Sequence, residues 1–255
     1  MTTLLAVGVV GMAQATAVEV VTNGDFATTS PDVTVPTQFG TSYGGQFITG
    51  WVGNNGYQIW YPNANDAVTK NAIGQYTGTG KEKLYGPIAA PPKGTMTFVG
   101  LDGDQTPGIQ SSIGQQLTGL TIGATYTVSF DWATAQLQSR TGVTTESLEV
   151  FFGGLASQST SVVSNPSEGS TAWQSTSFQF VSDSTSAFLN FISVGLPVGL
   201  PPMALLTNVS VTRNVPEPPA LAMFGGGLLG LGLLIMVARR REMHRRDVDG
   251  NRAIL

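Results

Sequence analysis

The chain of 255 residues contains no cysteine, so disulfides and thiolate metal sites are excluded. It has one histidine, His244, which lies near the carboxyl end. Most of the chain therefore has no Ser-His or Cys-His pairing and no histidine metal cluster. Charged residues make up only 11%. No segment shows the periodicity of a long amphipathic helix, and no phosphate-binding glycine loop opens a helix. What is abundant is Gly (32 residues), Thr and Ser, a composition that favours strands and turns.

The charge is unevenly spread. Residues 18–219 hold six basic and thirteen acidic side chains, a net of −7, whereas residues 239–255 hold six arginines against three acids. An acidic body does not attract nucleic acid and suits neutral glycans or cations.

The ends carry an address. Val215-Pro216-Glu217-Pro218-Pro219 precedes an uncharged apolar run of 19 residues from Ala220 to Ala238, followed by Arg239-Arg240-Arg241. As a helix the run spans roughly 28 Å, close to a bilayer core. The arginines are expected to stay cytoplasmic, which places everything before Pro216 outside. At the other end, Leu4 to Ala13 is apolar but too short to span, and Ala13-Gln14-Ala15 and Ala15-Thr16-Ala17 offer small-residue cleavage sites, as in a secretory signal peptide. No Lys or Arg stands near Met1. The expected organisation is signal peptide 1–17, exported domain 18–214, C-terminal signal 215–241 with its membrane helix at 220–238, and cytoplasmic tail 242–255.

Residues 215–241 resemble the PEP-CTERM sorting signal of Gram-negative bacteria, with Pro216, Glu217, Pro218 and Arg239 to Arg241 in the matching order. The resemblance implies exosortase as processing partner, and a destination in the cell envelope or the extracellular, exopolysaccharide-rich matrix. The family usually ends just after its arginines, but here Glu242 to Leu255 follow.

Between the ends, the pattern predicts eight to ten strands and an all-β jelly-roll sandwich. The best strand is Ala124 to Ala133, with Tyr126, Val128, Phe130 and Trp132 on one face and Asp131 on the other, facing solvent. Val18 to Val21, Gln46 to Val52, Tyr57 to Tyr61, Thr95 to Leu101, Ser147 to Phe152, Ala172 to Val181, Ser186 to Val194 and Ala204 to Arg213 are further expected strands. Thr28 to Gly45 and Pro62 to Lys93 read as loops.

Several phrases in order, among them Asn23-Gly24-Asp25-Phe26, Gly50-Trp51, Phe98 to Gly103 and Leu205 to Val211, resemble the galactose-binding-like jelly rolls that accompany such sorting signals. That resemblance implies adjacent first and last strands, and in related carbohydrate-binding modules a structural calcium between them. The usual acidic ligands are absent: Ala27 follows Phe26, and Thr207 stands in the closing strand, leaving Asp25 and Asn208 as candidate oxygen donors. Asp102-Gly103-Asp104 reads either as a cation-binding loop or as a solvated turn.

No catalytic residue is expected. Asp102, Asp104, Asp131, Glu146 and Glu149 are acids near the middle, but nothing marks any pair as acid and base. Binding is better supported. Tyr43, Trp51, Tyr57, Trp60, Tyr61, Tyr76 and Tyr85 crowd the first third beside Asn54, Asn55 and Gln58. Tyr57, Trp60, Tyr61 and Asn54 are the candidate sugar contacts, with one of the adjacent Trp60 and Tyr61 expected at the surface. The expectation is an exported matrix protein, structural or interacting, with a non-catalytic carbohydrate-binding module as the alternative and a glycoside hydrolase as the remote one.

Overall fold

In the computed structural model, residues 18–68, 82–138 and 140–214 are described, with the single positions 236 and 239. Strand structure lies within one unit, residues 17–214. The signal peptide, Pro216 to Pro218, the 220–238 run apart from position 236, and the tail fall outside the described residues. Arg239 is helical and exposed. Among the described residues no helix is long and apolar enough to cross a membrane.

In chain order the strands are β1 (Thr37–Phe39), β2 (Val52–Gly53), β3 (Gln58–Tyr61), β4 (Phe98–Asp102), β5 (Ser112–Thr118), β6 (Thr125–Gln136), β7 (Thr144–Phe152), β8 (Gln158–Ser159), β9 (Val163–Asn165), β10 (Gln174–Val181), β11 (Ser186–Leu196) and β12 (Pro202–Arg213). One sheet runs β1-β3-β4-β12-β6-β10 and the other β2-β5-β11-β7-β8, with β9 also on β7. This is an all-β sandwich, in keeping with a jelly roll. Residues 37–39, read as loop from the sequence, pair with β3, while 46–51 form no strand beyond an isolated bridge at Ile48.

The inner faces of the two sheets meet over an apolar core. Tyr126, Val128, Phe130 and Trp132 of β6 all point into it, as their alternation requires. Phe191 of β11 meets Phe130 edge-to-face at 5.1 Å, and Phe152 of β7 stacks on Phe180 of β10 at 5.3 Å.

The outer face of the first sheet is also buried. Ile59, Tyr61, Phe98, Ala133, Ala135, Leu137, Met203 and Leu205 form a second cluster with Ala64, Ala67, Leu84 and Ile88 from the segment between β3 and β4. That segment opens with one helical turn, Ala64–Ala67, capped by Asn63, whose side chain accepts from Asp66 N. A covering layer explains why Ile59 to Tyr61 and Met203 to Leu206 are apolar without alternation: strands covered on both sides have no solvent face to make polar. It also overturns the solvent-facing reading of Asp131, which is fully buried on that outer face.

The first described residues of this unit close on its last strand. Glu19 bridges Thr212, and Val20 N donates to Val211 O. Val209 N then donates to Gly24 O at 2.9 Å, where β12 bulges between Thr207 and Ser210. Gly24 packs so tightly there that a Cβ would lie 1.8 Å from Val209 O. Gly24→Ala is therefore expected to cost about 3 kcal/mol, at the severe end of overpacking. Thermal unfolding of the full chain checks this, and an unchanged midpoint would contradict the packing described.

Candidate functional site

The register of the first sheet gathers the sequence candidates at one end of the sandwich. Phe39 pairs with Gln58, Gln58 with Leu101, and Asp102 with Met203, so residues 40–45, 53–57 and 103–111 lie at the Pro202 end of β12. Asn214 follows the other end, roughly 36 Å away along the strand.

At this loop end Tyr43 and Tyr57 meet edge-to-face with ring centroids 6.2 Å apart, both partly exposed. The Tyr57 hydroxyl is pushed up to about 12 by burial first, then by Glu82, Asp102 and Tyr43, so it stays protonated and able to donate. Asn54 is exposed, but its amide builds the turn. Its Nδ2 donates to Gln110 O at 3.0 Å, and its Oδ1 accepts from Gly56 N and Ser112 N. Asn55 beside it is exposed.

Trp60 and Tyr61 do face opposite ways, yet both are buried, at 3% and 0% exposure. Trp60 enters the inter-sheet core, where its Nε1 donates to Phe26 O at 2.9 Å. Tyr61 enters the outer cluster, stacks on Phe98 at 5.0 Å and donates its hydroxyl to Glu82 O. The expectation that one of the two rings reaches the surface is corrected by the covering layer. Tyr43, the partner of Tyr57, is the aromatic that topology adds to the candidate pair.

At the calcium position the residues do not fit a hard cation. Thr207 Oγ1 donates to Thr97 O at 2.9 Å, and Thr97 Oγ1 donates to Asp25 O. Asp25 Oδ1 caps its own turn by accepting from Ala27 N. Asn208 turns Nδ2 towards Asp131 Oδ2 (2.8 Å) and Pro92 O (3.0 Å). Hydroxyl and amide donors thus occupy the backbone carbonyls of Asp25 and Thr97, and Asn208 presents its N–H side to Asp131. Among the described residues no group of three or more His, Cys, Asp or Glu is arranged to hold a metal ion.

The positive charge beside β12 comes from Lys93, whose Nζ lies 2.9 Å from Asp131 Oδ2; Lys93 is 57% exposed and Asp131 0%. Burial alone would raise the Asp131 carboxyl, but hydrogen bonds from Ser175, Lys93 and Asn208, with the Lys93 charge, hold it below its ordinary value.

A third group of acids lies beneath the loop end. Asp102 (1% exposed) and Glu146 (0%) are both buried, so the solvated-turn reading of Asp102-Gly103-Asp104 is also corrected. Asp102 Oδ1 accepts from Asp104 N at 2.8 Å. Asp104 accepts from Thr106 and, at 2.6 Å, from Gly199 N. Burial raises Asp104 in itself, but these hydrogen bonds outweigh it and hold the carboxyl low.

No family model matches the chain, and no curated protein does. Solved structures match distantly. A cyclase from Fischerella sp. TAU, in complex with 4-(1H-indol-3-yl)butan-2-one, is 13% identical with a TM-score of 0.49, covering 80% of this chain and 100% of its own. A CBM61 module in complex with β-1,4-galactotriose is 18% identical, with a TM-score of 0.31 and coverage of 48% and 74%. The CBM22-1 xylan-binding domain from Paenibacillus barcinonensis Xyn10C is 10% identical, with a TM-score of 0.34 and coverage of 70% and 92%.

Lys93→Ala leaves the Asp131 carboxylate without its cation. It is expected to cost about 1–2 kcal/mol, less than a fully buried pair because the lysine is half-exposed. Asp131 is lowered on folding, so the stability it carries is fully present above its ordinary value of 3.8 and is lost as pH falls below it. The destabilisation by Lys93→Ala, measured by thermal unfolding, should accordingly shrink on acidification. Neither EDTA nor millimolar calcium should move the wild-type midpoint; a drop of several degrees in EDTA would contradict the account of Asp25 and Asn208.

Proposed function

We propose that this chain is an exported, non-catalytic glycan-binding protein of the cell surface or extracellular matrix, sorted through its C-terminal signal. The observation that carries the binding reading is the half-exposed Tyr43–Tyr57 pair at the loop end, with Asn55 beside it. Flat aromatic rings pack against the C–H faces of sugars, and neighbouring amides supply hydrogen bonds to hydroxyls. The net charge of −7 over residues 18–219 favours a neutral polysaccharide over an anionic one. Asp102, Asp131 and Glu146 are sealed from solvent, which speaks for binding rather than hydrolysis.

The sorting reading rests on Pro216-Glu217-Pro218, the apolar run and Arg239 to Arg241. In it, exosortase processes the chain near Pro216, and the domain ends up tethered by the 220–238 helix or released into the matrix.

Retention of the full chain on a panel of neutral polysaccharides tests the binding reading. Tyr43→Ala and Tyr57→Ala should each weaken retention about tenfold, equivalent to about 1.4 kcal/mol, with unfolding midpoints little changed. Trp60→Ala should instead lower stability, by about 3–5 kcal/mol. Absence of retention on every polysaccharide, or tyrosine variants that bind like wild type, would sink the reading. Separately, Pro216→Ala with Glu217→Ala should block C-terminal processing in an exosortase-bearing host, as read by mass spectrometry of the mature terminus. An unchanged fragment pattern would remove the sorting proposal.

A further inference from the structure

The loop end is held shut by polar contacts between the two sheets. Asp102 ends β4 in the first sheet, and Glu146 belongs to β7 in the second. Ser193 of β11 bridges the sheets, its hydroxyl donating to Leu101 O at 2.9 Å with its oxygen 3.0 Å from Glu146 Oε1, where a protonated carboxyl can donate to it. The Glu146 carboxyl lies flat against two glycine backbones: a Cβ on Gly103 would be 2.5 and 2.6 Å from its oxygens, and one on Gly195 2.6 Å from Oε2. Gly195 N in turn donates to Gly103 O, and Gly103 N to Pro202 O. Ser111 N donates to Asp102 O, and Asp104 holds Gly199 N. Segments 102–111 and 195–202 are therefore joined to each other by backbone bonds and by Asp104, with Gly103 and Gly195 both lying against the buried Glu146 carboxyl.

Glu146 Oε2 is buried and finds no hydrogen-bond partner among the described residues. An ionised carboxylate in that position would be left with an unsolvated charge, and two ionised carboxylates sharing the pocket would add repulsion. The other titratable groups that act on Asp102 are Asp104 on its own loop and Tyr57 from the covering side. Neither carries positive charge.

We propose that Asp102 and Glu146 form a proton-operated clasp that keeps the loop end of the sandwich closed at acid to neutral pH and loosens it at alkaline pH. Burial is the main reason that Asp102 holds its proton up to about pH 7, against 3.8 ordinarily, and that Glu146 lies well above its ordinary 4.5. The folded state thus binds more protons than the unfolded chain above pH 3.8. The clasp's contribution is fully present below that pH, declines as pH rises towards 7 for Asp102, and declines further where Glu146 gives up its proton.

Hydrogen exchange on the full chain, expressed as protection factors so that the intrinsic pH dependence cancels, tests the clasp. Between pH 6 and 8.5, protection in segments 102–111 and 195–202 should fall at least tenfold, while β6 residues 126–132 keep theirs. Asp102→Asn and Glu146→Gln should each flatten the fall. The wild-type profile alone decides the matter where a variant fails to fold. Uniform protection across the range would overturn the proposal. So would a pH-dependent fall that millimolar calcium abolishes, since a cation rather than a proton would then be neutralising the pair.

Discussion

The sandwich depends on how its opening turn seats on the closing strand. Val209 N reaches Gly24 O across a bulge in β12, and Gly24 has no side chain to prevent the approach. Two buried indoles fix the turn from below. Trp51 Nε1 donates to Thr22 O and Asn23 O, and Trp60 Nε1 donates to Phe26 O. Phe26 itself packs edge-to-face on Trp51 at 4.9 Å. In a chain without cysteine, this knot of main-chain carbonyls and aromatic N–H groups does what a disulfide between the termini would otherwise do. It joins the two ends of the domain and seats the opening turn on β12, the strand between β4 and β6 in the first sheet.

Two buried polar groups, one midway along β6 and one at the loop end, then have opposite electrostatic solutions. Near the bulge, Asp131 stays ionised because two neutral donors, Ser175 and Asn208, and the Lys93 ammonium surround it. At the loop end, Asp102 and Glu146 have hydroxyl and backbone partners but no facing cation, and burial favours their neutral forms. Exclusion from solvent does not by itself dictate charge state; the depth of burial and the donors that face the group do. The Tyr43–Tyr57 pair stands above the second of these groups, so the candidate glycan surface and the clasp share their supporting loops.

Much of this was legible from alternation. The core face of β6 followed from Tyr126, Val128, Phe130 and Trp132. The rule failed where it assumed that one face of every strand meets water. Asp131, and whichever of Trp60 and Tyr61 was expected at the surface, were misplaced because residues 64–68 and 82–94 cover the outer face, and no local pattern says what a polar, glycine-punctuated segment will lie upon. The signal was present in the neighbours: Phe98 to Leu101 and Met203 to Leu206 are too continuously apolar for strands with a wet side. The Tyr43–Tyr57 contact was not legible, since it needs the β1–β3 pairing, and β1 is three residues long without a strand-like composition.

The lysine on Asp131 has a consequence for where such a domain can work. A captured metal ion follows mass action, and its occupancy falls when surroundings compete for it or dilute it. A cation borne by the chain has an effective concentration fixed by its tether, which no chelator or rinse can lower. A sandwich braced in that manner keeps its closing strand seated in media that would strip ions from a conventional site.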